Sequence, residues 1–241
     1  MKKHQKQLAL LFISVLIIIF REYTFFTMPR LWAEEGIVYF SYASSHSWLS
    51  ALLKPHLGYY SLFSNLAAVL ASRAVPLEKA PLVTTFLAFF VQCIPLLIVI
   101  WGNSNFWNTF FKKAIMIAII LFTPLSGETW LTTINCQYHF SLITVLILCE
   151  CNDSNQIKKN FYRALLVISS LSGVLSCFLM PLYLIRAWIT KQREAVVHAG
   201  IISTCTLITA YRSSTINTIW HDAKKQIFFS RYANFRRHHM G

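Results

Sequence analysis

The sequence predicts an all-α protein, a polytopic bundle of transmembrane helices with an interfacial amphipathic helix after the first of them. Three observations carry that prediction. Apolar residues make up 56% of the 241 positions and charged ones only 13%, too few to coat a soluble domain of this size. Mean hydropathy is +0.51. The apolar residues also fall in long blocks rather than along one stripe of each segment, as lipid-embedded helices require.

The elements follow in order. Met1-Lys2-Lys3-His4-Gln5-Lys6 precedes an apolar run over 8–20, the arrangement of a signal peptide. Arg21-Glu22-Tyr23 stands where a small-residue cleavage site would be, so 8–27 is expected to remain as a first membrane helix with a cytoplasmic N-terminus. Residues 28–57 read as the first outer loop. Within it, 37–53 interleaves Tyr39, Phe40, Trp48, Leu49 and Leu52 with serines and His46, a pattern suited to a helix lying among headgroups. Lys54-Pro55-His56-Leu57-Gly58 breaks it.

Apolar segments then cover 58–75, 80–101, 114–125, 134–149, 162–188 and 195–211. A hydrocarbon core about 30 Å thick asks for about 20 helical residues, and several segments fall short. Tilted or broken helices and about six or seven crossings are expected. Segment 162–188 carries Ser172-Gly173 inside it and basic flanks at Arg163, Arg186, Lys191 and Arg193. A re-entrant pair of half-helices would keep both flanks on one side; a tilted span is the alternative.

Net charge is +13, from 22 Lys+Arg against 9 Asp+Glu. A soluble protein so basic would suggest nucleic acid. Here the basic residues sit between apolar blocks, as cytoplasmic flanks of membrane helices do, so no nucleic-acid partner is expected. With 58–75 partly in the outer interface, Lys112-Lys113 and Lys158-Lys159 both fall inside, and Glu34-Glu35 shares the outer side with Trp130. The expected location is the cell's inner (plasma) membrane, with 1–211 as the transmembrane domain. Residues 212–241 form a basic polar tail containing Arg231, Arg236, Arg237, His238 and His239. Cys93, Cys136, Cys149, Cys151, Cys177 and Cys205 contain no C-x-x-C pair and read as buried structural thiols. Phosphate-binding glycine loops, H-E-x-x-H and G-x-S-x-G are absent, which excludes soluble nucleotide chemistry and the standard zinc and serine hydrolases.

Three groups of residues have chemistry to offer. Glu34-Glu35, just past the first helix, can share a cation or divide into an ionised base and a perturbed partner. Alternatively, the pair complements the dipole of the helix that follows. In Asn135-x-Gln137-x-His139, Asn135 and His139 sit one helical turn apart on one face, with Gln137 to the side. They can grip sugar hydroxyls or phosphate, or serve as polar glue between helices. Arg30, Lys54 and His56 are cationic groups at the same outer face, suited to a lipid-linked phosphate or to ordinary headgroups.

The order of a first helix, Trp32-Ala33-Glu34-Glu35-Gly36, an interfacial helix and Lys54-Pro55-His56-x-Gly58-Tyr59 resembles the opening module of GT-C-fold glycosyltransferases and their bacterial membrane-protein relatives. Trp130 with Asn135-x-Gln137-x-His139, and Leu171-Ser172-Gly173 with Pro181-Leu182, extend the resemblance over about residues 8–190. It implies transfer of a sugar from a polyprenyl-phosphate donor to an envelope glycan or lipid. Glu34 or Glu35 would be the base, and Arg30, Lys54 or His139 would contact the carrier phosphate. A divalent cation is compatible with the acidic pair, and nothing in the sequence requires one. Family members usually have more membrane helices and a C-terminal domain. The expectation is therefore a truncated copy of the fold's first half, with loss of activity as one outcome. The rival class is a non-catalytic membrane protein: a transporter, a flippase subunit or an assembly partner. Expected partners are membrane lipid, the lipid-linked donor and a further membrane protein.

Overall fold

A computed structural model describes residues 3–56, 58–122, 129–150 and 155–213. The expectations for Cys151 and the tail residues Arg231, Arg236, Arg237, His238 and His239 lie outside these. Among the described residues regular structure is helical, apart from one antiparallel bridge pair at His56 and Tyr59.

Helix α1 (Lys3–Arg21) is followed by the short turn α2 (Thr24–Thr27). The interfacial stretch is not one continuous amphipathic helix. A π-helical turn, Glu35–Phe40, runs into α3 (Ser41–Ser45), and α4 (Trp48–Leu53) starts afresh. The break has a local cause: His46 is extended and Ser47 caps α4, its hydroxyl accepting from the Ser50 N–H at 3.3 Å. Tyr39, Ala43 and Ala51 from these pieces pack on Ala68 and Val69 of α5 (Leu62–Ala74).

Helix α6 (Ala80–Trp101) occupies the segment the sequence marks out, with Pro81 in its first turn, where a missing N–H costs nothing. Helices α7 (Phe110–Phe122), α8 (Cys136–Cys149) and α9 (Gln156–Leu171) follow. The Asn155 side chain caps α9 by accepting from the Ile157 and Lys158 N–H groups. Then come α10 (Val174–Cys177), α11 (Met180–Thr190) and α12 (Arg193–Ser213). Helix α8 lies between α6 and α9, and the core joins Leu96, Val99 and Ile100 to Phe140, Ile143, Leu146, Leu166 and Ile202.

Among the described residues, three helices are long and apolar enough to cross a membrane: His4–Arg21, Leu77–Trp101 and Arg193–Ser213. Counting the bent pair Gln156–Leu171 with Val174–Thr190 as one span gives four. Leu62–Ala74 and Cys136–Cys149 are apolar but shorter. The bend at Ser172-Gly173 is 115°, so 162–188 is a broken pair and not a tilted rod.

The helix ends sort into two poles. At the first, Gln7 and Lys113 donate to the Ile100 carbonyl, Lys158 pairs with Glu150 at 3.0 Å, and Arg163 pairs with Glu194 at 2.6 Å. Arg186 donates to the Leu148 and Glu150 carbonyls there. Both basic flanks of the broken pair therefore meet at this pole. The loop after α2 and the second half of α12 define the other pole, where Arg212 donates to the Leu53 carbonyl. Cys93, Cys136, Cys149, Cys177 and Cys205 are free thiols, with Cys136 and Cys205 buried.

Candidate functional site

Two loops distant in sequence meet at the second pole, and Glu35 joins them. Its side chain is 3% exposed. One carboxylate oxygen accepts from the Trp32 N–H at 3.0 Å; the other accepts from the Thr133 hydroxyl at 2.5 Å and from the Thr133 backbone N–H. The clasp spans 98 positions of chain. Burial pushes the Glu35 carboxyl above the usual carboxylate range, while the hydrogen bonds from Thr133, Trp32 and Ile134 pull it down. Two residues before each partner the backbone enters left-handed space without glycine, at Ala33 (φ 40°) and Leu131 (φ 56°). Such conformations cost roughly 1–3 kcal/mol each and persist where the surroundings enforce them.

Glu34 points the other way and is exposed. With Arg30, Leu31, Trp32 and Ala33 it forms one wall of an open groove of about 490 Å³, whose other wall is Ile134 and Asn135. The Arg30 guanidinium lies 5.6 Å from the Phe25 ring and 5.1 Å from the Trp32 ring, held by stacking rather than by a carboxylate. The groove thus presents a cation, a carboxylate, an amide-bearing residue and an aromatic wall. This is equipment for a phosphate ester and a hydroxyl.

The remaining candidates sit elsewhere. His139 is buried beneath the groove, its ring 5.2 Å from that of Trp130, whose ring also carries the Arg21 guanidinium at 5.2 Å. It does not line the groove. Gln137 packs on Gly173 at the break of the bent pair, away from the groove. His56 is enclosed by Tyr39 and Tyr42, with ring centroids 4.7 and 5.3 Å away. Burial, aided by the Lys54 charge, holds its imidazole down to about 4, so it is a neutral ring at physiological pH. Lys54 is exposed, lies 5.5 Å from the Tyr42 ring and lines no part of the groove. Among the described residues no group of three or more His, Cys, Asp or Glu is arranged to hold a metal ion.

Sequence reasoning missed Thr133 and the Arg21–Trp130–His139 stack. Thr133 follows Thr132 in a short polar loop, and no spacing signal ties it to Glu35. Comparison of the chain with protein-family models, curated proteins and solved structures finds no match.

Proposed function

We propose that this chain is a GT-C-like membrane glycosyltransferase whose outer groove receives the head of a polyprenyl-phosphate sugar, with Glu34 as the base. One observation carries this reading. Arg30, Glu34 and Asn135, contributed by two loops that the Glu35–Thr133 clasp brings together, line one open groove beside an aromatic wall. Glu34 takes the proton of an acceptor hydroxyl as its oxygen attacks the anomeric carbon. The bond from that carbon to the phosphate oxygen breaks, and Arg30 balances the charge left on the departing polyprenyl phosphate. Glu35 is a positioning residue in this scheme, since its oxygens are occupied by Trp32 and Thr133.

The reading includes a topology: six or seven crossings, with the short helices α5, α7 and α8 tilted or paired, the N-terminus cytoplasmic, the inner membrane as location and 28–57 at the outer headgroup level. Support comes from the basic pole, where Lys6, Lys113, Lys158, Lys159 and Arg163 gather as cytoplasmic flanks do. Membranes given radiolabelled polyprenyl-phosphate sugars supply the test. Glu34→Gln is expected to lower transfer about a hundredfold or more, with single cysteines over 30–36 labelled from outside intact cells. Unchanged transfer in Glu34→Gln removes the mechanism.

A second reading, a non-catalytic membrane protein, has its own support. Glu35, Gln137, His56 and His139 are all engaged in packing or loop closure, and none lines the groove. An absence of sugar transfer by the intact chain with any carrier sugar favours this reading.

A further inference from the structure

The opposite pole holds a second groove, independent of the sugar-transfer reading. It encloses about 500 Å³ between the start of α1, the loop after α6 and the start of α7, and is lined by Lys6, Gln7, Gly102, Asn103, Ser104, Asn108, Phe110 and Lys113. No carboxylate lines it. The Glu150 carboxylate lies against Gly102, accepts from the Asn103 N–H and pairs with Lys158 at 3.0 Å.

The cations are placed by the fold. Lys113 Nζ donates to the Ile100 and Gly102 carbonyls at 2.6 and 3.3 Å, which fixes one positive charge at the rear of the groove. Lys6 is exposed and rests 5.8 Å from the Phe110 ring, at the mouth. Asn103 and Asn108 are exposed amides on the connecting loop.

The surface leading away from this mouth is apolar. Along α7, Phe111, Ile115, Ile119 and Phe122 are 72%, 44%, 59% and 66% exposed, a stripe at helical spacing. On α1, Leu8 and Phe12 are 48% and 63% exposed. A cationic, amide-lined cup at a helix end, continuous with an apolar stripe running down α1 and α7, matches one kind of molecule: a phosphate ester carrying acyl chains.

We propose that this groove is a binding site for an anionic glycerophospholipid. The phosphate sits between Lys6 and Lys113, the glycerol hydroxyls meet Asn103 and Asn108, and the chains lie along Phe111, Ile115 and Phe12. Native mass spectrometry of the full chain tests it, with protein extracted from vesicles of phosphatidylglycerol and phosphatidylcholine. The chain is expected to retain phosphatidylglycerol in preference to phosphatidylcholine. Lys6→Gln lowers that retention about fivefold, while Lys112→Gln, an exposed lysine on the first turn of α7 outside the groove, leaves it unchanged. Equal loss in the two variants would show diffuse surface charge and overturn the site, as would full retention in Lys6→Gln. Millimolar inorganic phosphate is expected not to displace the lipid; displacement would mean that the cup reads a free phosphate and would overturn the lipid assignment. Thermal unfolding of Lys6→Gln is expected to match the parent chain in detergent without lipid, so a folding defect cannot imitate the loss.

Discussion

Replacing Glu35 by alanine removes the acceptor for the backbone N–H groups of Trp32, Thr133 and Ile134 and for the Thr133 hydroxyl. Glu35 is 3% exposed and Thr133 also 3%, so water has little room to take over. Each buried donor left without an acceptor costs roughly 1–3 kcal/mol. Together, and partly relieved by relaxation of the exposed Ala33–Glu34 corner, these losses give about 3–5 kcal/mol of destabilisation. Thr133→Val removes the hydroxyl alone and is expected to cost about 1–2 kcal/mol. The two residues touch, so the double variant should fall short of additivity by roughly 1–2 kcal/mol. Unfolding in mixed detergent micelles, followed by tryptophan fluorescence, measures all three. The pH dependence is a further mark. The carboxyl is raised by burial, so the folded chain holds its proton more tightly than the unfolded chain does. The stability this gives is present at low pH and fades as pH rises from about 4.5 through the raised value. That slope should vanish in Glu35→Gln. A loss below about 1 kcal/mol in Glu35→Ala, or strict additivity with Thr133→Val, would refute the clasp.

Two further variants probe the helical frame. Gly173→Ala is expected to destabilise the bundle by about 2 kcal/mol or more, because φ is +154° there and an added Cβ would lie 2.7 Å from Gln137 Cβ; trimming Gln137 to alanine leaves that Cβ in place and should recover little of the loss, as thermal unfolding would show. Glu150→Ala at the basic pole strips partners from the Asn103 N–H, the Tyr162 hydroxyl and Lys158, and should lower stability by about 3 kcal/mol in the same assay.

Glu34 and Glu35 show where reading the chain reaches its limit. As neighbours in Trp32-Ala33-Glu34-Glu35-Gly36 they are indistinguishable, and either could be assigned the role of base. The left-handed turn at Ala33 and the π-helical turn after it send one carboxylate inward and leave the other in the groove. His139 and Gln137 are similar: a helical spacing identifies which residues share a face but not what that face meets. For His139 it meets Trp130, and for Gln137 it meets Gly173. Glu150 directly follows the apolar segment 134–149, where nothing local marks it for burial, yet it is buried and fastens the basic pole.

Composition and block length alone determined that the chain is helical and belongs in a membrane, because charge content and apolar run length are properties of the residues themselves. They also placed α6 and marked Ser172-Gly173 as an interruption, where proline, glycine and hydropathy act over a few neighbouring positions, while leaving a broken pair and a tilted span both open. Only the tertiary structure decided that the broken pair folds back with both basic flanks at one pole, and that Glu35 joins two distant loops while Glu34 stays exposed. The reason is physical: those outcomes rest on hydrogen bonds and ion pairs between residues 31 and 98 positions apart, and such pairings leave no mark on local sequence.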